Sequence, residues 1–208
     1  MKVPDDEDRV VVFDLDGTLY EGHSWPELHD IHDVDPERTG DLLDDYETGK
    51  IGMQEWLDAL AEEWGEPRYE KMDRYIEGMT FADGTHDLIE QHDDSYTVML
   101  SGALDYVSRQ VADELGIDAH VPTVGLQMDE QGFDGFTVTP YHNKEQFLDG
   151  LDDRYVIVYG NGRNDIGLVK GADEAYMVPN DARVPYDDLD VETGPLRSFL
   201  EDDMNGDG

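Results

Sequence analysis

The run Val10-Val11-Val12-Phe13 leads straight into Asp14-Leu15-Asp16-Gly17-Thr18. A short, continuous, β-branched run of this kind reads as a strand buried on both faces, as in a parallel sheet. The two aspartates then sit just past the carboxyl end of a central strand, where open α/β sheets place their sites. Gly17 lets the backbone turn sharply there. Two carboxylates one residue apart point in different directions on an extended chain. One can attack a substrate while the other handles a proton, with a divalent cation between them.

The rest of the chain supplies the partners of that strand. Tyr96–Leu100, Ala119–Val124, Arg154–Tyr159 and Ala175–Val178 read as further strands. Leu126–Met128 and Phe133–Val138 flank Asp129-Glu130-Gln131-Gly132, a hairpin signal. Leu104, Val107, Val111 and Leu115 form a helical stripe that starts right after Ser101-Gly102 and stops at Gly116. Thr85–Gln91, a segment opened by Lys144 and Ile166–Lys170 read as short helices. Between Tyr20 and Met79 no strand is evident. Leu42, Leu43 and Tyr46 recur at helical spacing, as do Trp56, Leu57, Leu60, Ala61 and Trp64, and a third helix spans Tyr69–Gly78. The reading is an α/β protein with a three-layer, Rossmann-like core of about five parallel strands. Residues 1–20 and 80–208 form the core and residues 21–79 a small helical cap inserted after strand one. Residues 181–208 form an acidic, partly disordered tail, with disorder expected over 201–208.

Charge excludes several function classes. The 208 residues carry 52 acidic and 14 basic side chains, a net charge of −38. A nucleic-acid binder needs a basic footprint, and anionic membrane surfaces repel such a chain. Residues 21–79 hold 18 acidic and 5 basic residues, much the same density as the remainder, so the charge is a property of the whole surface. Self-repulsion of this size opposes a compact state at low salt. The composition resembles that of proteins from extreme halophiles, and folding is expected to need molar salt. With no cysteine, there is neither a disulfide framework nor a thiolate metal site. No apolar signal region opens the sequence and no stretch approaches a membrane span, so a cytoplasmic protein is expected.

Four stretches bring phosphoryl-transfer chemistry together. Asp14 can act as nucleophile, giving an aspartyl-phosphate that water hydrolyses. Asp16 is the candidate general acid for the leaving alkoxide and then the base for water. A carboxylate attacking a phosphate dianion meets like charge, which a hard cation offsets, and oxygen-only ligands suit Mg. Asn161 and Asp165, at another strand end, would complete its shell. Ser101, at the expected helix start, and the Gly102 amide can hold phosphate oxygens. Lys144 supplies a point positive charge.

The order of these stretches, DLDGT at 14–18, SG at 101–102, K at 144 and GNGRND at 160–165, resembles the haloacid dehalogenase superfamily of phosphohydrolases. The likeness covers about residues 9–180. The helical insert is similar to that superfamily's type 1 cap, which closes over small substrates. MLSGALDYVSRQVADELGI and the hairpin before Lys144 are similar to its phosphoserine-phosphatase-like branch. The resemblance implies Asp14 as nucleophile and Asp16 as acid/base with its backbone carbonyl on Mg. Thr18 and Ser101 are implied as phosphate contacts, Lys144 as charge stabiliser, and Asn161 and Asp165 as the metal-side pair. The chain departs from the family pattern twice. Asn161 stands where the family usually has Asp, and His23, with Glu21 nearby, stands where phosphoserine-specific members carry Glu.

The expected function is Mg-dependent hydrolysis of a small phosphorylated metabolite, by a monomer or homodimer without nucleic-acid or membrane partners. Two alternatives are a phosphotransferase or phosphomutase with the same intermediate, and a catalytically weak protein that binds phosphometabolites. Tyr20, Trp25 and Trp56 are candidates for the cap side of the pocket.

Overall fold

The computed structural model describes residues 2–130, 132–151 and 153–200, with the side chain of Glu47 set aside. In chain order it holds β1 (Arg9–Phe13), α1 (Ser24–Ile31), α2 (Pro36–Glu47), α3 (Met53–Trp64), α4 (Tyr69–Glu77) and α5 (Thr85–Gln91). Then follow β2 (Tyr96–Leu104), α6 (Asp105–Leu115), β3 (Ala119–Asp129), β4 (Gly132–Val138), β5 (Tyr155–Gly160), α7 (Ile166–Gly171), β6 (Glu174–Met177) and β7 (Glu192–Thr193). Short 3-10 helices cover Lys144–Gly150, Arg163–Asp165, Tyr186–Asp188 and Leu196–Phe199.

The strands form one sheet in the order β4-β3-β2-β1-β5-β6-β7. Every pairing is parallel except β3 with β4. β1 lies in the middle, with Val12 opposite Val98 of β2 and Val158 of β5. Its side chains alternate between two hydrophobic layers, as the period of two requires. Val11 and Phe13 join Met99, Ile157 and Tyr159 under α5 and α6. Val10 and Val12 join Val98, Leu100, Val156 and Val158 under Phe147, Leu151, Leu168 and Val169. The expected α/β core, flanked by helices on both faces, is the fold observed.

The structure corrects three details. Among the described residues there are six parallel strands rather than about five: β7 has two residues, too few to show a period, and pairs with Tyr176 and Met177. The segment read as ending at Val124 continues through Leu126–Met128 as one long β3. β2 runs on to Leu104, so Ser101 lies within an irregular strand end rather than at a helix start, and α6 begins at Asp105.

Residues 24–77 contain four helices where three were expected. α1 leaves little periodic signal in the sequence because it buries only Ser24 and Leu28 fully and carries Pro26 in its first turn, where the missing N–H costs nothing. α2 starts on Asp35, whose side chain accepts from Glu37 N, with Pro36 following. Leu57, Leu60 and Trp64 are the buried face of α3. Gln54 of α3 reaches the edge strand β4, donating Nε2 to Phe136 O at 2.9 Å and accepting from Val138 N at 3.4 Å.

Residues 181–200 pack against the core rather than forming a tail: Val184, Leu196, Phe199 and Leu200 are buried, and Phe199 lies 4.9 Å from the Tyr176 ring. The disorder expected over 201–208 falls outside the described residues. Among the described residues no helix is long and apolar enough to cross a membrane.

Candidate active site

Leu15 and Leu19, both fully buried, pin the turn that follows β1. Between them the chain curls so that Gly17 N donates to Tyr20 O at 2.8 Å and Tyr20 N to Leu15 O at 2.9 Å. Gly17 has φ +77°, and a Cβ there would meet Asn161 Nδ2 at 2.2 Å, so no other residue fits. The turn leaves Asp14 and Asp16 lining a cavity of about 530 Å³ at the carboxyl end of the sheet.

Behind Asp14 stands Lys144. Its Nζ is 2.7 Å from Asp14 Oδ1 and 2.6 Å from Asp165 Oδ1, and its side chain is wholly buried. Asp165 Oδ2 accepts from Asn161 N at 3.1 Å and Gly162 N at 2.9 Å. Gly160 makes room, since a Cβ there would lie 2.8 Å from Asp165 Cγ. Both oxygens of Asp165 are therefore occupied. This geometry gives it the role of holding Lys144 and the β5 turn in place, and it stands behind Asp14 rather than on the cavity wall.

Asp16 Oδ2 accepts from Ser24 N at 3.0 Å and from Ser24 Oγ at 2.6 Å. Its Oδ1 is buried without a hydrogen-bond partner. Burial raises the Asp16 carboxyl above its ordinary range, against the pull of the Ser24 bonds. Burial also pushes Asp14 up, to about 7, opposed by Lys144 and reinforced by Asp165 and Asp16. Burial works against the Lys144 charge, but Asp14 and Asp165 outweigh it and its pKa is raised.

Three carboxylates around one ammonium leave the site short of positive charge. The orphaned Asp16 Oδ1 and the Asp14 oxygen not bound by Lys144 face that deficit. The Asp14 oxygen not bound by Lys144, the Asp16 backbone carbonyl and the Asn161 amide oxygen offer an oxygen-only donor set of the kind that fits Mg. Among the described residues no three His, Cys, Asp or Glu side chains converge on a metal position. Asn161 is nearly buried. Its Nδ2 donates to Asn180 Oδ1 at 2.7 Å, and its Oδ1 lies 3.5 Å from Thr18 Oγ1. Asn180 Nδ2 in turn donates to Gly17 O. Tyr186 Oη donates to Asn161 O at 2.6 Å and accepts from Asp181 N at 3.0 Å.

Asp14, Asp16, Gly102 and Asn161 line the cavity together. Thr18 does not: it is buried, with its hydroxyl turned to Asn161. Ser101 is fully buried and its Oγ accepts from Ala103 N at 3.0 Å, leaving its proton without a protein acceptor among the described residues. Of the three aromatic candidates, Trp25 lines the cavity, and Tyr46 does so in place of Tyr20 and Trp56. Ser24, Asn164, Asn180 and Tyr186 were not anticipated. Asn164 lies inside the GNGRND stretch, and that position was its signal. The other three carry no periodicity or motif that could have pointed to them.

The haloacid dehalogenase-like hydrolase model matches residues 11–170. No curated protein matches the chain. Among solved structures, phosphoserine phosphatase from T. onnurineus in complex with NDSB-201 is similar at 22% identity and TM-score 0.71, covering 98% of each chain. A hydrolase of the same family from Salmonella enterica serovar Typhi is similar at 16% identity and TM-score 0.75, covering 95% of this chain and 72% of that one. A phospho-aspartyl intermediate analogue of phosphoserine phosphatase is similar at 18% identity and TM-score 0.67, covering 83% and 87%. These likenesses are of fold. The family match spans the β1 turn, Lys144 and the β5 turn alike, and the chain belongs to the haloacid dehalogenase-like hydrolases.

Proposed function

We propose that the protein is a phosphatase that hydrolyses a small phosphate monoester through an aspartyl-phosphate on Asp14. One observation carries the reading: Lys144 fixes one oxygen of Asp14 from behind while Asp16, held by Ser24, keeps a partnerless oxygen beside it over the same cavity. The family match and the likeness to the phosphoserine phosphatase fold support phosphoryl chemistry.

Asp14 attacks phosphorus, and its bond to phosphorus forms as the ester oxygen leaves. Asp16, whose carboxyl burial raises above its ordinary range, gives the leaving oxygen its proton. It then takes a proton from water as water attacks the phosphoryl group and frees Asp14. Lys144 holds Asp14 in line and offsets charge on the transferring oxygens. Ser101 and the Gly102 backbone offer donors for those oxygens. Asp14, the Asp16 backbone carbonyl and Asn161 would hold Mg. Bound there, Mg supplies the positive charge that offsets repulsion between the nucleophile and the phosphate. The four helices α1–α4 serve as a cap that excludes water and selects the leaving group.

The test is hydrolysis of an aryl phosphate in about 2–3 M KCl, with Mg and then with EDTA, by the wild type and Asp14→Asn. Turnover that needs Mg and vanishes in Asp14→Asn is expected. Turnover that persists in Asp14→Asn overturns the covalent mechanism. A second reading, a phosphometabolite-binding protein of weak activity, is favoured by Asn161, whose amide contributes no charge and is engaged by Asn180. A folded wild type that binds phosphate esters but hydrolyses none would select it.

A further inference from the structure

The phosphoryl chemistry uses only the inner end of the cavity. Its 530 Å³ lies in the range of sites that enclose a whole small molecule, roughly 300–1,000 Å³. The outer wall therefore has a ligand part of its own to contact, and its chemistry is specific.

Two aromatic rings form that wall. Trp25 is immobilised. Its Nε1 donates to Gly102 O at 2.9 Å, which hangs the indole from the strand end next to Ser101. Trp56 and Phe136 lie 5.8 Å from it and Trp64 6.1 Å. Tyr46, in the last turn of α2, stacks on Trp56 at 5.3 Å with the planes 18° apart. Both rings are half-buried, backed by other aromatics, and line the cavity with what remains exposed. Rings already fixed by packing lose little freedom when a ligand stacks on them. Arg163 is exposed at the same mouth, and a guanidinium is the cation that best tolerates a flat π partner.

The charges on the wall argue against a cationic leaving group. Beyond Asp14 and Asp16, the carboxylate lining the cavity among the described residues is Asp181. Arg183 binds it through Nε at 3.0 Å and a second nitrogen at 3.2 Å. Glu21 lies on the other side of the β1 turn, beside Gly17 and Thr18. Beyond Asp14 and Asp16, an ammonium in this cavity meets no carboxylate without a cation partner among the described residues, whereas a flat ring meets two aromatic side chains fixed by packing.

We infer that the outer cavity is a subsite for a planar aromatic leaving group, formed by Trp25 and Tyr46 with Arg163 at its mouth. The inference rests on the reading of the inner end as a phosphoryl site.

Benzyl phosphate and cyclohexylmethyl phosphate test it, because their leaving alcohols are alike in size and reactivity and differ in flatness. The wild type is expected to favour the benzyl ester in kcat/KM by roughly three- to tenfold, the worth of one aromatic contact. Tyr46→Phe keeps the preference and Tyr46→Ala reduces it toward one. Equal kcat/KM in the wild type, or a preference untouched by Tyr46→Ala, overturns the subsite. If neither ester is hydrolysed, the corresponding phosphonates are titrated against the fluorescence of the three tryptophans. Tighter binding of the benzyl phosphonate, weakened by Tyr46→Ala, then sustains the subsite while the phosphatase reading falls. Equal affinities overturn the subsite.

Discussion

Ser24 gives both its backbone N–H, at 3.0 Å, and its hydroxyl, at 2.6 Å, to one oxygen of Asp16. The first residue of α1 thus fixes the carboxylate proposed to shuttle the proton, and the helices after β1 are tied to the chemistry through one side chain. Ser24→Ala keeps the backbone bond and loses the shorter one. A hydrogen bond to a charged group is worth about 1.5–3 kcal/mol, so kcat is expected to fall by about tenfold or more, with the fold retained by circular dichroism. An unchanged kcat would remove Asp16 from the proton path.

Lys144 is enclosed with Asp14 and Asp165, and its removal strands two carboxylates. Lys144→Met is expected to cost about 3–5 kcal/mol of stability, because the partners of a broken buried ion pair remain uncompensated. Adding Asp14→Asn to that variant should recover part of the loss, since one stranded charge is gone. Denaturant titrations of the two variants at fixed salt measure both effects.

Asn180 joins Asn161 to the β1 turn, accepting from Asn161 Nδ2 and donating to Gly17 O. With Nδ2 committed, the Asn161 oxygen is the atom left toward Thr18 and the proposed cation position. Asn180→Ala frees the amide to rotate. Groups that orient a metal ligand commonly contribute 10–100-fold to affinity, so calorimetric Mg affinity is expected to drop by about tenfold or more. Equal affinities would mean that Asn161 is not a ligand.

Two histidines are held neutral in the helical insert. Trp64 Nε1 donates to His29 Nδ1 at 2.9 Å. Arg68 N donates to His32 Nε2 at 3.0 Å, while His32 Nδ1 lies 2.7 Å from Leu28 O. Burial lowers both pKa values, that of His29 to about 4 from an ordinary 6.5 with the charge on His32 adding to the effect, and that of His32 with the nearby Arg68 and Lys71 adding to it. A depressed histidine contributes stability that is full above its unfolded pKa and declines as pH falls toward the folded value. Stability is therefore expected to decline between pH 6.5 and about 4. His29→Gln, which can still accept from Trp64, should remove about 2 kcal/mol of that decline after its partial exposure is allowed for. Thermal melts of both proteins across that pH window provide the comparison.

Salt sets the baseline for all of these measurements. With 52 acidic against 14 basic residues, Tm is expected to rise between about 0.1 M and 3 M KCl as the screening length shortens from roughly 10 Å to below 3 Å. A flat Tm over that range would mean that the acidic surface does not limit folding.

The sequence displays this fold most openly where one residue's neighbours decide its state. The β-branched run into Asp14 marks β1 because both faces of that strand are buried. The same reasoning finds β2, β5 and the buried stripe of α6. It overlooks α1, whose buried surface is small, and β7, which has two residues. It reads residues 181–200 as a tail because their burial is irregular, with Val184, Leu196 and Phe199 following no period. Asp14, Asp16, Lys144 and Asp165 are legible as a set, since chain order reveals that their strand ends converge. Their division of labour is not. Asp165 stands behind Lys144 and Thr18 behind Asn161 because of hydrogen bonds between distant turns, and such bonds leave no spacing along the chain.

Gln54 has a consequence beyond its place in α3. By bonding Phe136 O and Val138 N, its amide occupies the outer rim of β4, where a sheet would otherwise accept another strand. In molar salt the mutual repulsion of so acidic a molecule no longer keeps copies apart, and an open rim would let one sheet extend into the next. The amide closes that rim by shape and hydrogen bonding, which added electrolyte does not weaken as it weakens charge repulsion.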